Sequence, residues 1–361
     1  MAEKMIFHVA YQPQVRTRRD TRSLMLDVLI ALLPAIAVAI IRFGWYQLLL
    51  VSVSVASAVF FEWAYRRLLN KRSSVGDLSA AVTGMLLGMV LPCGCPWWIP
   101  VVGNLFAIVV VKQLYGGIGK NFLNPALAGR AFLLASYPAI LATWEKGNIF
   151  DVWADAVSAA TAQVDAVTMA TPLSYLYNGE EMPAFFSVKA FFIGTVPGCI
   201  GELSAIAILA GFAYLLIRRV ITWRIPVSVV GTVGLLCLVF GHSGYGNLEW
   251  AVYNVLSGGL LFAAVFMATD YATSPVTAGG QILYGVGCGI LTVLIRYFGG
   301  YPEGCSYAIL IMNLCTWTID KAFRRHQFGI NPKNDAMLSK AERYEERARK
   351  LREKAAGGYS K

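Results

Sequence analysis

The stretch Asp165-Ala-Val-Thr-Met-Ala-Thr-Pro-Leu173 brings one carboxylate and two threonine hydroxyls, Thr168 and Thr171, into a short polar run. A threonine followed by proline is first of all an ordinary helix start. Thr171 can cap the first turn with its hydroxyl, and Pro172 suits the first helical position. A hydroxyl displayed on an outward loop has a second use, as the attachment point of a bonded group. Asp165 and Thr168, lying in the same connection, favour that use for Thr171. Which one applies depends on what the rest of the chain is.

The rest reads as membrane. Of 361 residues, 57% are hydrophobic and only 14% charged, with a mean hydropathy of +0.57. A soluble domain carries roughly a quarter of its residues as charges. The apolar runs 24–41, 45–65, 97–114 and 226–240 are long enough, with their flanks, to be transmembrane helices. The net charge of +10 falls on loops between apolar runs, so it is a topology signal and nucleic acid is not an expected partner. The polar stretch before Leu24 is too long for the n-region of a cleavable signal peptide. Seven cysteines include no C-x-x-C pair. Cys93-Gly-Cys95 has no second pair to complete a metal site or disulfide framework, and Cys237, Cys288 and Cys315 read as small core residues.

Charge orders the segments. Residues 1–23 are basic and expected in the cytoplasm. Spans at about 24–41, 45–65, 78–91, 97–114 and 124–143 form a first membrane repeat over 24–143. The connection 144–202 follows; between Gly147 and Val188 it holds five acidic residues and no Lys or Arg, which places it outside. A connection of that length is uncommon unless it carries function. A second repeat over 203–325 holds spans at about 203–217, 226–240, 250–269, 281–298 and 307–323, and a charged cytoplasmic tail occupies 326–361. The expected fold is therefore all-α: a polytopic membrane protein of about ten transmembrane helices in two five-helix inverted repeats, with both termini inside.

The repeat signal is Lys112-Gln-Leu-Tyr-Gly-Gly117 beside Arg296-Tyr-Phe-Gly-Gly300, one loop inside and the other outside, a layout that tends to place ligand sites between the halves. Gly119-Lys120 lacks the pattern of a phosphate loop. Gly285-Val-Gly-Cys-Gly289 lies inside an apolar span, where small residues serve close helix packing rather than dinucleotide binding. Asp27 and Glu62 fall within spans, where they belong to an ion path or pair with a basic residue, Arg130 being an obvious partner to test. In the tail, 337–355 is a charged helix with a narrow seam at 4-3 spacing.

Against this background the Asp165–Leu173 stretch resembles the flavinylation motif, D-x-x-S/T-G-A-T, of the membrane subunits of flavin-based respiratory pumps. The chain is similar over most of residues 1–330 to the RnfD type of membrane subunit of the Rnf ferredoxin:NAD+ oxidoreductase, related to the NqrB type of the sodium-pumping NADH:quinone reductase. Further carriers are Gly116-Gly-Ile-Gly-Lys-Asn121 with Asn124-Pro-Ala126, Gly201-Glu202-Leu-Ser204, Met267-Ala-Thr-Asp-Tyr-Ala-Thr-Ser-Pro275 and Tyr301-Pro-Glu-Gly304. Met169 departs from the glycine usual at that position.

The resemblance implies FMN joined through its phosphate to the Thr171 hydroxyl by an external flavin transferase, with Asp165 and Thr168 as its recognition sequence. It also implies a non-covalent riboflavin nearer the cytoplasm, for which Asn121, Asn124 and Asp270 are the candidate contacts. Polar groups at membrane depth need a ligand or each other, and helix capping by Asn121 and Asn124 or loop capping by Asp270 would equally satisfy them. Further implications are a bacterial or archaeal inner membrane, electron relay coupled to Na+ or H+ transport, and partner subunits: an external flavin subunit, membrane iron–sulfur subunits and a cytoplasmic NAD-reducing subunit. No resident metal and no catalytic residue are expected in this chain itself. A small-solute channel or permease built from inverted repeats is the alternative.

Overall fold

A computed structural model describes residues 20–142, 173, 188–194, 196, 198–241, 246–299, 303–323 and 344–345. Thr171, Asp165 and Thr168 lie outside these, as do most of the 144–202 connection, most of the first 23 residues and nearly all of the tail.

The described chain is helical, with a single isolated bridge between Pro92 and Cys199. The helices are α1 Thr21–Phe43, α2 Trp45–Leu68, α3 Ser79–Met89, α4 Ile99–Asn104, α5 Pro125–Ser136, α6 Pro138–Leu141 and α7 Val188–Ile193. They continue with α8 Ala205–Ile217, α9 Arg224–Phe240, α10 Asn247–Leu256, α11 Leu260–Phe262, α12 Ala278–Phe298 and α13 Cys305–Ala322. Two π-helical stretches, Leu105–Gln113 and Ala263–Met267, extend α4 and α11. Such widened turns commonly mark functional sites.

Among the described residues, α1, α2 and α12 are long and apolar enough to cross a membrane, and α10 with α11 form a fourth candidate if counted together. Leu33, Ile41, Phe60, Ile217 and Val239 are exposed on helix faces. Apolar side chains turned outward on helix faces are what lipid contact requires.

The expected continuous span at 250–269 is instead broken, and its two parts diverge by 60°. The cause is Ser257-Gly258-Gly259. Both glycines take left-handed φ, +68° and +64°, which carries no steric cost only without a Cβ. An apolar run read by hydropathy hides such a break.

A second irregular segment, 198–204, precedes α8 and docks on the end of α3. Gly201 N–H donates to the Met89 carbonyl at 2.7 Å and Ile200 N–H to the Leu91 carbonyl at 3.3 Å. Non-helical backbone is tolerated at membrane depth where protein satisfies its polar groups. A Cβ on Gly201 would lie 2.9 Å from the Phe262 ring, so the approach is closed to larger residues.

Close packing dominates elsewhere. Gly84 and Gly88 of α3, four residues apart, both face Ser54 of α2, and the Ser54 hydroxyl donates to the Gly84 carbonyl at 2.6 Å. The run Gly285–Gly289 packs as expected: a Cβ on Gly285 would overlap Ser228 Oγ of α9, and one on Gly289 would meet Thr232 at 2.7 Å. Small residues let backbones approach where lipid supplies no hydrophobic drive. None of the seven cysteines forms a disulfide. Cys237 and Cys288 are buried, whereas Cys315 is exposed, a correction to its expected core position: an apolar run does not say which of its faces meets lipid.

Candidate functional site

Two polar groupings lie inside the helical body. The larger is a half-open cavity holding about 740 Å³ of space between atoms, its open side included. Its wall takes Ser79 and Thr83 from α3, Lys112 from the π-helical extension of α4, Asn121 and Asn124 from the loop before α5, and Asp270 from the turn after Met267. The first and second halves of the sequence both contribute. Asn121, Asn124 and Asp270, chosen from sequence, thus line one cavity.

Local hydrogen bonding differs among the three. Asn124 caps α5, its Oδ1 accepting from Ala126 N–H at 3.0 Å and Leu127 N–H at 3.4 Å. Its amide also donates to the Met267 carbonyl at 3.1 Å, tying the start of α5 to the broken helix of the other half. Asp270 accepts from Thr273 Oγ1 at 3.1 Å inside its own turn. Burial pushes its carboxyl up from the usual carboxylate range, with the Thr273 hydroxyl, neighbouring backbone N–H groups and Lys112 opposing. Asn121 donates to the Leu123 carbonyl at 3.0 Å. Its Oδ1 has no partner among the described residues and is therefore the acceptor most available to a ligand.

Sequence reasoning did not single out Lys112. It is 3% exposed, and its ammonium lies 2.7 Å from Glu62 Oε2. The available signal was a lysine at the end of an apolar run, which reads equally well as an interfacial charge. Glu62 therefore pairs with Lys112. Asp27 accepts from Arg218 at 3.2 Å and from the Tyr214 hydroxyl at 3.0 Å. Arg130 pairs with neither acid; its partner is Glu303, and it also approaches Cys199 Sγ at 3.6 Å.

That pair belongs to the second grouping, a tight pocket where Arg130, Cys199, Glu202 and Glu303 meet the glycine break. Ligand atoms of Cys199, Glu202 and Glu303 lie within 4.8 Å of one another, close enough to surround a cation. Here Arg130 already supplies the counter-charge to Glu303, and the Cys199 N–H donates to Glu202 at 2.7 Å. Beside the pocket, Arg296 is buried and donates to the Asn254 carbonyl and, at 3.1 Å, to the Ser257 carbonyl. It satisfies the carbonyls that the interrupted α10 leaves without helical partners. Leu173, the last residue of the motif stretch, is buried against Gly258 of the same break.

Interrupted helices and a polar cavity lined from both halves, with apolar side chains exposed on the helix faces, are those of a helical membrane protein. The chain belongs to the NQR2, RnfD, RnfE family, whose model matches residues 8–329. It is 45% identical over 324 residues to the D-type subunit of the Na(+)-translocating ferredoxin:NAD(+) oxidoreductase complex of Acetobacterium woodii, covering 89% of this chain and 95% of that one. It is 38% identical over 334 residues to the proton-translocating counterpart of Clostridium ljungdahlii, covering 91% and 97%. The D-type subunit of an ion-translocating oxidoreductase complex of Shewanella amazonensis is 36% identical over 346 residues, 90% of this chain and 99% of the relative.

Proposed function

We propose that this chain is the membrane relay subunit of an ion-translocating ferredoxin:NAD+ oxidoreductase, with FMN bonded to Thr171 and riboflavin held in the cavity of Asn121, Asn124 and Asp270. Family membership supports the assembly, since the relatives are subunits of such complexes by name. The observation that carries the flavin reading is that three residues from separated motifs line one cavity.

The residues fit a flavin by their chemistry. Asn121 Oδ1, unpartnered among the described residues, is an acceptor for a ring N–H, and Asp270 presents a carboxyl whose ionisation burial opposes. Lys112 gives the wall a cation, while Val265 and Phe266 supply apolar surface. Riboflavin, when bound, supplies the electron-carrying chemistry; the protein supplies placement and polarity. At the other site, Leu173 docks on Gly258 beside Arg130 and Arg296.

Sidedness follows from charge. The cavity is lined by Ile118 and Asn121, which flank Lys120, and by Ile221, which lies between Arg219 and Arg224; these basic loops favour the cytoplasmic side, while the acidic connection bearing Thr171 reads as external. Lys112 and Arg296 end equivalent helices of the two halves in the sequence repeat. Both are buried, and each is bound to the end of a short helix, Ser79 of α3 or Ser257 after α10. That likeness supports two inverted five-helix repeats and ten crossings, with both termini inside. The relay would join an external flavin subunit and membrane iron–sulfur subunits to a cytoplasmic NAD-reducing subunit, with Na+ or H+ as the coupled ion.

The test is co-expression with a flavin transferase and inspection of a denaturing gel under ultraviolet light. A fluorescent band that Thr171→Ala abolishes is expected. A native chain without fluorescence would sink the covalent reading and favour the permease alternative.

A further inference from the structure

We infer that Lys112, held by Glu62, sets the redox poise of the cavity by presenting a fixed positive charge to whatever electron carrier occupies it. This rests on the reading of that cavity as a riboflavin site. Lys112 and Glu62 are 3% and 1% exposed, so the ion pair lies wholly inside the helical body. Lys112 belongs to the cavity wall and Glu62 does not. The pair is therefore an oriented dipole, with its positive end toward the cavity and its negative end behind.

The ammonium is held in place with one donor to spare. It donates to Glu62 Oε2 at 2.7 Å and to Ser79 Oγ at 2.6 Å. Both acceptors are fixed in turn: the Ser79 hydroxyl donates to Asp77 Oδ1 at 2.6 Å, and Glu62 Oε1 accepts from the Ser74 hydroxyl. Of the three ammonium protons, two have partners among the described residues. The third is left for the cavity.

Stability alone does not account for this arrangement. A buried ion pair is often no more stabilising than an apolar pair of similar volume. In a site of low dielectric, however, a fixed cation acts strongly on added negative charge. Electrons delivered to a bound flavin raise its electron density, so the ammonium favours the reduced form relative to the oxidised one. Glu62 holds the ammonium and moderates its field; it is a positioning residue. Asp270 and Tyr271 are the other ionisable groups on the wall, and Asp270 feels Lys112 directly.

The experiment is a spectroelectrochemical titration of the complex in lipid nanodiscs. It is done in a Thr171→Ala background so that FMN at that position does not contribute, with extracted riboflavin quantified for each sample. Lys112→Met is expected to weaken the preference for reduced flavin by on the order of tenfold, a shift of about 30 mV to lower potential for a two-electron couple. Glu62→Gln is expected to shift the potential the opposite way, because the cation loses its counter-charge. Lys112→Arg should restore most of the unmodified value. Should a single variant fail to assemble, the charge-free pair Lys112→Met with Glu62→Met keeps the volume filled, and its potential should lie between those of the singles.

A general loss of packing would move both single variants in the same direction. Riboflavin present with shifts of one sign, or with no shift, overturns the inference and leaves the flavin site standing. Absence of riboflavin from the unmodified complex overturns the cavity reading itself.

Discussion

Replacing Asn124 by alanine separates its two hydrogen-bonding tasks. The side chain caps α5 through Oδ1 and holds the Met267 carbonyl through its amide, 143 residues further along the chain. Loss of an Asn cap costs about 1 kcal/mol. Loss of a buried amide–carbonyl bond adds about 1 kcal/mol. The two together, about 2 kcal/mol, correspond to a fall in melting temperature of roughly 4–8 °C if each kcal/mol moves it 2–4 °C. Asn124→Asp keeps the cap, because Asp and Asn rank alike there, and removes only the donor to Met267. It should therefore lose about half as much.

Thermal unfolding of the purified protein in detergent, with retained riboflavin extracted and measured in parallel, checks this. Asn124→Ala should lose stability and flavin together, since the loop before α5 forms part of the cavity wall. An alanine variant as stable as the parent, or an aspartate variant as damaged as the alanine one, would refute the division of labour. Loss of flavin from Asn124→Asp at full stability would make the amide a direct ligand instead.

Three further outcomes follow from the same contacts. Gly285→Ala places a methyl against Ser228, an overpacking worth about 1–3 kcal/mol; unfolding temperatures should show the loss, and Ser228→Gly in the same chain should recover part of it. Asp270 has its carboxyl raised by burial, so its stabilising contribution is fullest at low pH and is lost as pH rises through the raised value. Asp270→Asn should accordingly stabilise the flavin-free chain, with a margin over the parent that widens from acid to neutral pH in melting curves; a margin independent of pH would contradict this. Arg296→Met removes charged donors from the carbonyls of the glycine break, each such bond being worth about 1.5–3 kcal/mol, and limited proteolysis should find cleavage near Ser257 that the parent resists.

Much of the fold is written locally. The spans expected at 24–41, 45–65 and 281–298 correspond to α1, α2 and α12, with no end shifted by more than three residues. A long apolar run in lipid has no other way to satisfy its backbone than as a helix. The family was legible as well, because its motifs are short, contiguous and chemically specific, and the matching family model covers residues 8–329. The use of Gly285–Gly289 for helix packing was readable for a similar reason: glycine in an apolar span has few other uses.

Tertiary structure alone decided which partners the buried charges take. Asp27 meets Arg218 across 191 residues, and Arg130 meets Glu303 across 173. Hydropathy is a sum over neighbours in sequence and carries no term for residues so far apart. The bend at Gly258–Gly259 also needed the folded chain, since the same dipeptide is compatible with a continuous helix until Arg296 and Glu202 arrive to take up the space and the freed carbonyls. The cavity belongs to this second kind: its asparagines and aspartate are chosen by local sequence, but a lysine becomes part of its wall only when segments far apart in the chain converge around it.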